Sequence, residues 1–566
     1  MKKSWNLKSL DQPKAIDLAK QLNISEILGQ LLVQRGITDF DAAKTFFRPQ
    51  LNDLHDPFLM KDMDKAVTRL QKAINDNEKI MIYGDYDVDG TTSVSMVYHF
   101  LSQLTKNIEY YIPDRYAEGY GVSAKGIAYA ASINVQLMIT LDCGIKAIDR
   151  VDEGNENEID FIICDHHQPG PEIPSAIAVL DPKRSDCNYP FKELCGCGVG
   201  FKLLQAFCIK ENDDLDKLYP YLDLVALAIG ADIVPIVGEN RVMAFYGLKT
   251  INSNPRMGIK TLLQTAKANK IITITDLVFV AGPRINAAGR IHSARKAVQL
   301  LISEDEEMAL EFSKDIEEDN LTRRDLDRSI TKEALEMIAD NKDWLNNKST
   351  VVYEAGWHKG VIGIVASRLI ETYYRPTVVF VKSGDIAAGS ARSVKGFDLY
   401  QALEQCSDFL IQFGGHKYAA GMTIEIDKID AFRKKFEEVV SQTISPESLI
   451  PEISVDLELD FADISPKFYR IINQMSPFGP GNMTPVFLSR KVHDFGYSKA
   501  VGTEDDHLKL FVRQNGSEAL GGIAFGMGNL YPEIKTQNPF DIVYTIEENT
   551  WNEKTSLQLR VKDLRF

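Results

Sequence analysis

Asp85, Asp87 and Asp89 alternate within Tyr83-Gly-Asp-Tyr-Asp-Val-Asp-Gly-Thr-Thr-Ser93, directly after the apolar run Ile80-Met-Ile82. Alternate residues share a face in extended chain, so the spacing predicts that at least two carboxylates point the same way. Like charges held that close repel, and a divalent cation relieves them. A solvated acidic turn would carry the same residues, and so would a calcium loop. A calcium loop, however, needs a carboxylate near its twelfth position after a polar stretch. Here the chain runs instead into Val94-Ser-Met-Val-Tyr-His-Phe100, an apolar helix or strand. The chemistry on offer is that of a catalytic metal.

Further acids in the same half follow apolar runs. Gln136–Leu141 ends at Asp142-Cys-Gly144, Asp160–Cys164 ends at Asp165-His166-His167, and Leu222–Gly230 leads through Ala231 to Asp232. Short apolar runs alternating with helical stretches predict a parallel α/β sheet. In such sheets ligands gather beyond the carboxyl ends of the strands. Acids delivered by separate strands are therefore expected at one edge. Carboxylates with one imidazole suit Mn²⁺ or Mg²⁺ better than a soft, thiolate-seeking ion. A His-His pair alone would read as a buried hydrogen-bonded pair; beside these carboxylates it reads as part of the metal site.

Taken together, Asp165-His166-His167, Asp85-x-Asp87-x-Asp89, Asp142 and Asp232 resemble the DHH phosphoesterase superfamily. Within it the chain is similar to the RecJ family of bacterial single-stranded-DNA-specific exonucleases. Many superfamily members place a metal-binding histidine where Tyr83 stands; Asp85 adds an acid instead, in the RecJ manner. The likeness continues through Pro113-Asp-Arg115, Gly282-Pro-Arg-Ile-Asn-Ala-Ala-Gly-Arg290, Gly389-Ser390-Ala-Arg392, Gly414-Gly415-His416-Lys-Tyr-Ala-Ala-Gly421, Pro477-Phe-Gly-Pro-Gly-Asn482 and Leu557–Lys562. It spans nearly the whole chain.

The resemblance implies two Mn²⁺ or Mg²⁺ ions held by Asp87, Asp89, Asp142, His166 and Asp232, with Asp142 bridging and Asp85 adding to the catalytic acids. It makes Asp165 an orienting group, and gives His167 a phosphate oxygen to reach. Arg115, Arg290, Ser390 and Arg392 match positions that grip a terminal 5′-phosphate. Gly414, Gly415 and His416 form a loop whose backbone N–H groups approach phosphate. The implied activity is a 5′-to-3′ exonuclease of DNA repair and recombination that releases 5′-mononucleotides from single-stranded DNA. Duplex would be excluded by a narrow passage between two α/β domains. Single-strand-binding protein and a RecQ-type helicase are the implied partners. A phosphodiesterase of short oligoribonucleotides or cyclic dinucleotides is the alternative within the superfamily. A catalytically silent replication scaffold would be expected to lose metal ligands, and every expected ligand is present.

Composition sets outer bounds. A chain of 566 residues exceeds one core, so several domains are expected. Met1-Lys-Lys lacks an apolar signal region, and no run approaches the roughly 18 apolar residues of a membrane span. No membrane association is therefore expected, and seven cysteines, an odd number, suit a reducing cytoplasm. The net charge of −16 runs against phosphate binding. Much of it falls in Ser303–Asp340, read as a solvent-exposed linking helix, while arginines and lysines sit among the motifs; a positive groove on a negative body is expected. The domain reading is a helical lead-in over 1–55, the metal-site sheet over 56–302, and the connecting helix over 303–341. A second α/β domain of DHHA1 type over 342–445 and a C-terminal OB-type β-barrel over 446–566 complete it. In the barrel Phe487 and Phe511 read as core, and Trp551 as a stacking platform. Gly196-Cys-Gly198-Val-Gly200 imitates a dinucleotide fingerprint but lacks a preceding strand, so it reads as a flexible lead into a packed helix.

Overall fold

Ile80–Gly84, Leu137–Leu141 and Asp160–Cys164 are apolar on nearly every residue and almost wholly buried, as strands covered on both faces must be. In the computed structural model, which describes residues 2–268, 270–551 and 554–566 (Trp551 by its backbone alone), they lie in a five-stranded parallel sheet. The order is Ile108–Tyr111, Ile80–Gly84, Leu137–Leu141, Asp160–Cys164, Ala178–Leu180. Gly84, Leu141 and Cys164 are register partners. The residues that follow, Asp85, Asp142 and Asp165, therefore emerge side by side at the carboxyl edge.

Two local expectations need correction. The acids after Ile82 do not continue in extended chain. Asp87 is the N-cap of the helix Val88–Leu101, its side chain accepting from the Gly90 amide, and Asp89 lies in the first turn. The Asp87 carboxylate satisfies an orphan amide, and both acids complement the helix dipole. The run Leu222–Ala231 is a helix, apolar but for Asp223 and buried through Gly230, not a strand, and Asp232 is its C-cap.

By contacts the chain forms two units. The larger contains residues 7–289, 293–317 and 454–566, and the smaller contains 290–292 and 318–453 with the N-terminal residues up to Asn6. The helix Glu306–Asp340 contributes Ala309 and Ile316 to a core of the larger unit, and Ile330, Ala334 and Ile338 to one of the smaller. The expected solvent-exposed linker is thus a helix with a buried stripe. In the smaller unit, Thr350–Glu354 and Thr377–Ser383 pair in parallel. Antiparallel Ile386–Arg392, Ala419–Glu425 and Leu410–His416 complete that sheet.

The C-terminal strands form a seven-stranded sheet with an additional pairing between Phe487–Asp494 and His507–Arg513. The helices Gln12–Leu22, Glu26–Val33 and Phe40–Phe47 share its core: Leu18, Leu28, Leu31 and Leu32 cluster with Phe468, Phe487 and Tyr544. The lead-in expected over 1–55 is therefore packed against the barrel. Among the described residues, no helix is long and apolar enough to cross a membrane.

Candidate metal centre

Three ligand sets converge at the sheet edge. Asp85, Asp87 and Asp142 form one, Asp89, His166 and Asp232 a second, and Asp142, His166 and His167 a third, each with atoms within 4.8 Å of one another. His166 Nε2 lies 3.1 Å from Asp142 Oδ1 and 3.7 Å from both Asp89 Oδ2 and Asp232 Oδ2. Asp142 adopts a left-handed backbone at φ 59°, a conformation aspartate tolerates better than most residues, and its carboxylate is shared by two of the sets. The structure thus brings Asp85 beside Asp87, and Asp89 beside His166. The helix start at Asp87 is what separates Asp85 and Asp89 into different sets.

The donor set fits hard divalent cations. Asp85 Oδ1, Asp142 Oδ1 and both ring nitrogens of His166 are buried without a hydrogen-bond partner, a costly state unless something else binds them. Burial first, and then the neighbouring carboxylates, push Asp85, Asp89 and Asp142 well above the ordinary range. Burial and the Asp87 charge take Asp232 up to about 7. His166 is pulled down to about 3, chiefly by burial, and is neutral as a ligand must be. Asp165 is of another kind. Its Oδ1 accepts from the His166 and His167 amides and from His167 Nδ1 at 2.7 Å, and its Oδ2 accepts from the Ile145 amide. These bonds overcome burial and hold it down at about 2.

A raised carboxylate pKa means that the folded chain keeps protons that the unfolded chain releases. Stability from that source is present at low pH and lost as pH rises through the folded value, about 7 at Asp232. Cations would take the place of those protons. We expect Mn²⁺ added to chelator-treated protein to raise the melting temperature more at pH 8 than at pH 5.5. The gain is worth about 2.7 kcal/mol when free ion is about 100 times Kd. A pH-independent gain, read by thermal melts in chelator and in Mn²⁺, would remove these carboxylates from the site.

Residues not anticipated from sequence complete the surroundings. The amides of Gly196 and Cys197, opening the helix Gly196–Glu211, donate to Asp89 Oδ2 and Oδ1, both at 2.7 Å. The glycine-rich motif is therefore no flexible lead. A Cβ at Gly196 would stand 2.6 Å from Asp142 Cβ and 2.8 Å from its Oδ1, so only glycine lets the helix start lie against the acids. Tyr120, on the loop before Ser123, places its hydroxyl 3.3 Å from the Asp142 carbonyl and 3.2 Å from the His167 ring nitrogens. Tyr83 is wholly buried and bonds the same loop through Gly121 and Ser123. Arg115 stacks on Tyr86, 4.7 Å from the ring centre, between two of the acids in sequence.

The smaller unit holds the other anticipated residues. Arg392 and Ser390 are hydrogen-bonded neighbours on Ile386–Arg392. They face the first turn of the helix Ile362–Thr372, where a Cβ at Gly363 would meet Ser390 Oγ at 2.9 Å and Arg392 Nη2 at 3.0 Å. Arg290 donates to the Gly360 carbonyl at 2.9 Å. Gly414, Gly415 and His416 are exposed, but they form the edge strand of a hairpin with Ala419–Gly421 and not a loop. On the barrel, Lys499, Lys509, Ile523 and Arg560 stand in register across four strands, so like charges adjoin on an otherwise acidic protein. Phe511 faces outward beside the exposed Phe495 and Tyr497, with Arg513 over the Phe495 ring. It is not the core residue that was expected, while Phe487 is buried. The Trp551 side chain lies outside the described residues.

Comparison with known proteins identifies three segments of the chain. Residues 79–229 match the DHH family, N-terminal domain; 346–442 match the DHHA1 domain; 455–563 match the RecJ OB domain. The single-stranded-DNA-specific exonuclease RecJ of Bacillus subtilis (strain 168) is 39% identical over 565 residues, covering 99% of this chain and 71% of the relative. That of Escherichia coli (strain K12) is 31% identical over 587 residues, covering 100% of both. Crystal structures of Thermus thermophilus RecJ with Mn²⁺ and with Mg²⁺ superimpose with TM-scores of 0.86 and 0.80, each at 25% identity. They cover 100% of this chain and 79% and 78% of theirs. With domain composition, near full-length identity and overall fold in agreement, the chain belongs to the RecJ family of single-stranded-DNA-specific exonucleases.

Proposed function

We propose that this chain removes 5′-mononucleotides from the 5′ end of single-stranded DNA by metal-dependent phosphodiester hydrolysis. The observation that carries the reading is the pair of ligand sets, Asp85–Asp87–Asp142 and Asp89–His166–Asp232, set against one another at the sheet edge. When bound, paired divalent cations stabilise both the attacking and the leaving oxygen of an in-line displacement at phosphorus. The chain's own groups orient and bind. Asp165 fixes the His167 ring through Nδ1 and keeps its pKa up against the pull of burial. Nε2, shared with the Tyr120 hydroxyl, is then presented to a phosphate oxygen. Arg290, Ser390, Arg392 and the helix start at Gly363 form the pocket assigned to the terminal phosphate, where arginine's fork suits a dianion. The exposed edge strand Gly414–His416 is assigned to the strand's other phosphates, while Arg115 is assigned to the terminal phosphate by family resemblance.

The barrel's Lys499, Lys509 and Arg560 and its Phe495–Tyr497–Phe511 group are assigned to the rest of the single strand, which stacks its bases on aromatic faces without regard to sequence. A role in DNA repair and recombination, a cytoplasmic setting, and partnership with single-strand-binding protein and a RecQ-type helicase belong to the same proposal and rest on family resemblance.

The test compares Mn²⁺-dependent mononucleotide release from a 5′-phosphorylated single strand, the matching duplex and a diribonucleotide. The single strand is expected to lead. Arg392→Ala should slow 5′-phosphorylated ends by about 10–100-fold, the loss of one strong charged contact, and 5′-hydroxyl ends far less. Preference for the diribonucleotide would replace the proposal with an oligoribonucleotide phosphodiesterase; equal losses on both termini would take Arg392 out of the phosphate pocket.

A further inference from the structure

Thirteen non-glycine residues among those described have a left-handed backbone, and twelve of them are polar or charged. The exception is Ile233, at φ 60°. A β-branched side chain in that region is a steric outlier, because its branched carbon crowds the following carbonyl. The backbone reason for the turn is clear. Ile233 follows Asp232, the C-cap of the helix Leu222–Ala231, and a left-handed residue at that place is the ordinary way to end a helix. Glycine would serve there without strain. The branched side chain is therefore not needed to stop the helix.

Nor is it needed by the core. Ile233 is 63% exposed, whereas Val234 and Ile236 just beyond it are 8% and 0% exposed and anchor the segment. The Ile236 amide donates to the Pro480 carbonyl at 2.7 Å, which fixes where the strained residue stands. One residue before it, Asp232 Oδ2 lies 3.7 Å from His166 Nε2 and belongs to a cation-ligand set. Another large apolar side chain, Phe279, is 73% exposed. It sits on the π-helical turn Leu277–Ala281, whose Leu277 and Val278 pack on Gly230 of the same helix. The chain thus holds an exposed apolar residue, at the cost of backbone strain, next in sequence to a carboxylate of a cation-ligand set. Strained backbone of this kind gathers at functional sites.

A ligand that reaches the metal centre and meets Ile233 gains from that contact only through an apolar part. A phosphate and water do not qualify. The nucleosides on either side of a phosphodiester do, since deoxyribose carbons and base faces are apolar. We infer that Ile233 is a substrate-binding residue that packs its side chain on the nucleoside bonded to the phosphate at the metal centre. This inference rests on the nuclease reading above. The contact is non-directional and independent of base identity, as an exonuclease that digests any sequence requires. It acts on binding of the strand and not on the charges of the displacement, so it should appear in KM and not in kcat.

The experiment uses the full chain with Mn²⁺ and a 5′-phosphorylated single-stranded oligodeoxynucleotide. Ile233→Gly and Ile233→Asn both accept the left-handed backbone, so each should melt at or above the wild-type temperature. Each is expected to raise KM by about tenfold, the order of one lost apolar contact, with kcat within about twofold. Ile233→Val keeps an apolar face and should stay near wild type in KM. Glycine and asparagine variants that gain stability with unchanged KM would reduce Ile233 to a helix stop and overturn the inference. A fall in kcat at constant KM would overturn it too, because Ile233 would then act through Asp232. Failure of the wild-type chain to digest the single strand would instead strike the nuclease reading itself, so the two failures are separable.

Discussion

Asp142→Ala is expected to lower single-strand digestion by about 10³-fold or more, about 4 kcal/mol of lost transition-state stabilisation, while binding of the strand stays largely intact. The carboxylate belongs to both the Asp85–Asp87 set and the set that holds His166 and His167, so one substitution removes a ligand from two places at once. The residues proposed for the terminal phosphate in the smaller unit, and those proposed for the strand on the barrel, lose nothing. The same substitution has an opposite effect on the chelated protein. Asp142 is 2% exposed, and its Oδ1 has no hydrogen-bond partner. Removing it relieves the repulsion that pushes its neighbours' pKa values up, so the variant should melt above the wild type in chelator at pH 8. Lost turnover with raised metal-free stability is the signature of a ligand site and not of a packing defect. Normal turnover, or a variant destabilised in chelator, would end the assignment of Asp142 as the shared ligand.

Much of this centre is legible in sequence because strands impose it. Asp85, Asp142 and Asp165 each follow the last residue of a buried apolar strand, and the partners Gly84, Leu141 and Cys164 put them in line. Asp232 was legible for a partly wrong reason. Leu222–Ala231 has no polar interruption beyond Asp223, and an apolar run of that kind gives no period by which to tell buried helix from strand. Its length, ten residues, favours the helix. The reading of Asp85, Asp87 and Asp89 as one extended face failed because an aspartate with glycine three residues later is also a helix N-cap. The outward position of Phe511 was open to view, since Leu508, Leu510 and Val512 alternate with it and are buried. Tyr120 was not. Its place beside His167 depends on a loop held by Tyr83 across 38 and 40 residues of chain, which no local pattern announces.

Gly196 was the most consequential residue hidden from sequence, and Gly196→Ala should expose its role. Overpacking a rigid contact costs about 1–3 kcal/mol, but the larger effect is on the centre. The new methyl would stand 2.6 Å from Asp142 Cβ and 2.9 Å from its Cα, so either Asp142 or the helix start must shift. Moving the helix breaks the two 2.7 Å bonds by which Asp89 is held to the Gly196 and Cys197 amides; moving Asp142 spoils the ligand position shared by two sets. A displacement of about 1 Å costs on the order of 10²-fold in rate. We expect that loss, with weakened Mn²⁺ binding in the thermal melt. Gly198→Ala is the matched control within the same motif. Its nearest neighbours, all side-chain atoms of Leu194 and Cys195, lie at 3.4 to 3.6 Å, an ordinary contact, so it should keep both activity and metal response. If the motif were only a flexible lead into the helix, both alanines would be tolerated, and equal, near-wild-type behaviour of the pair would show that the helix start does not shape the metal centre.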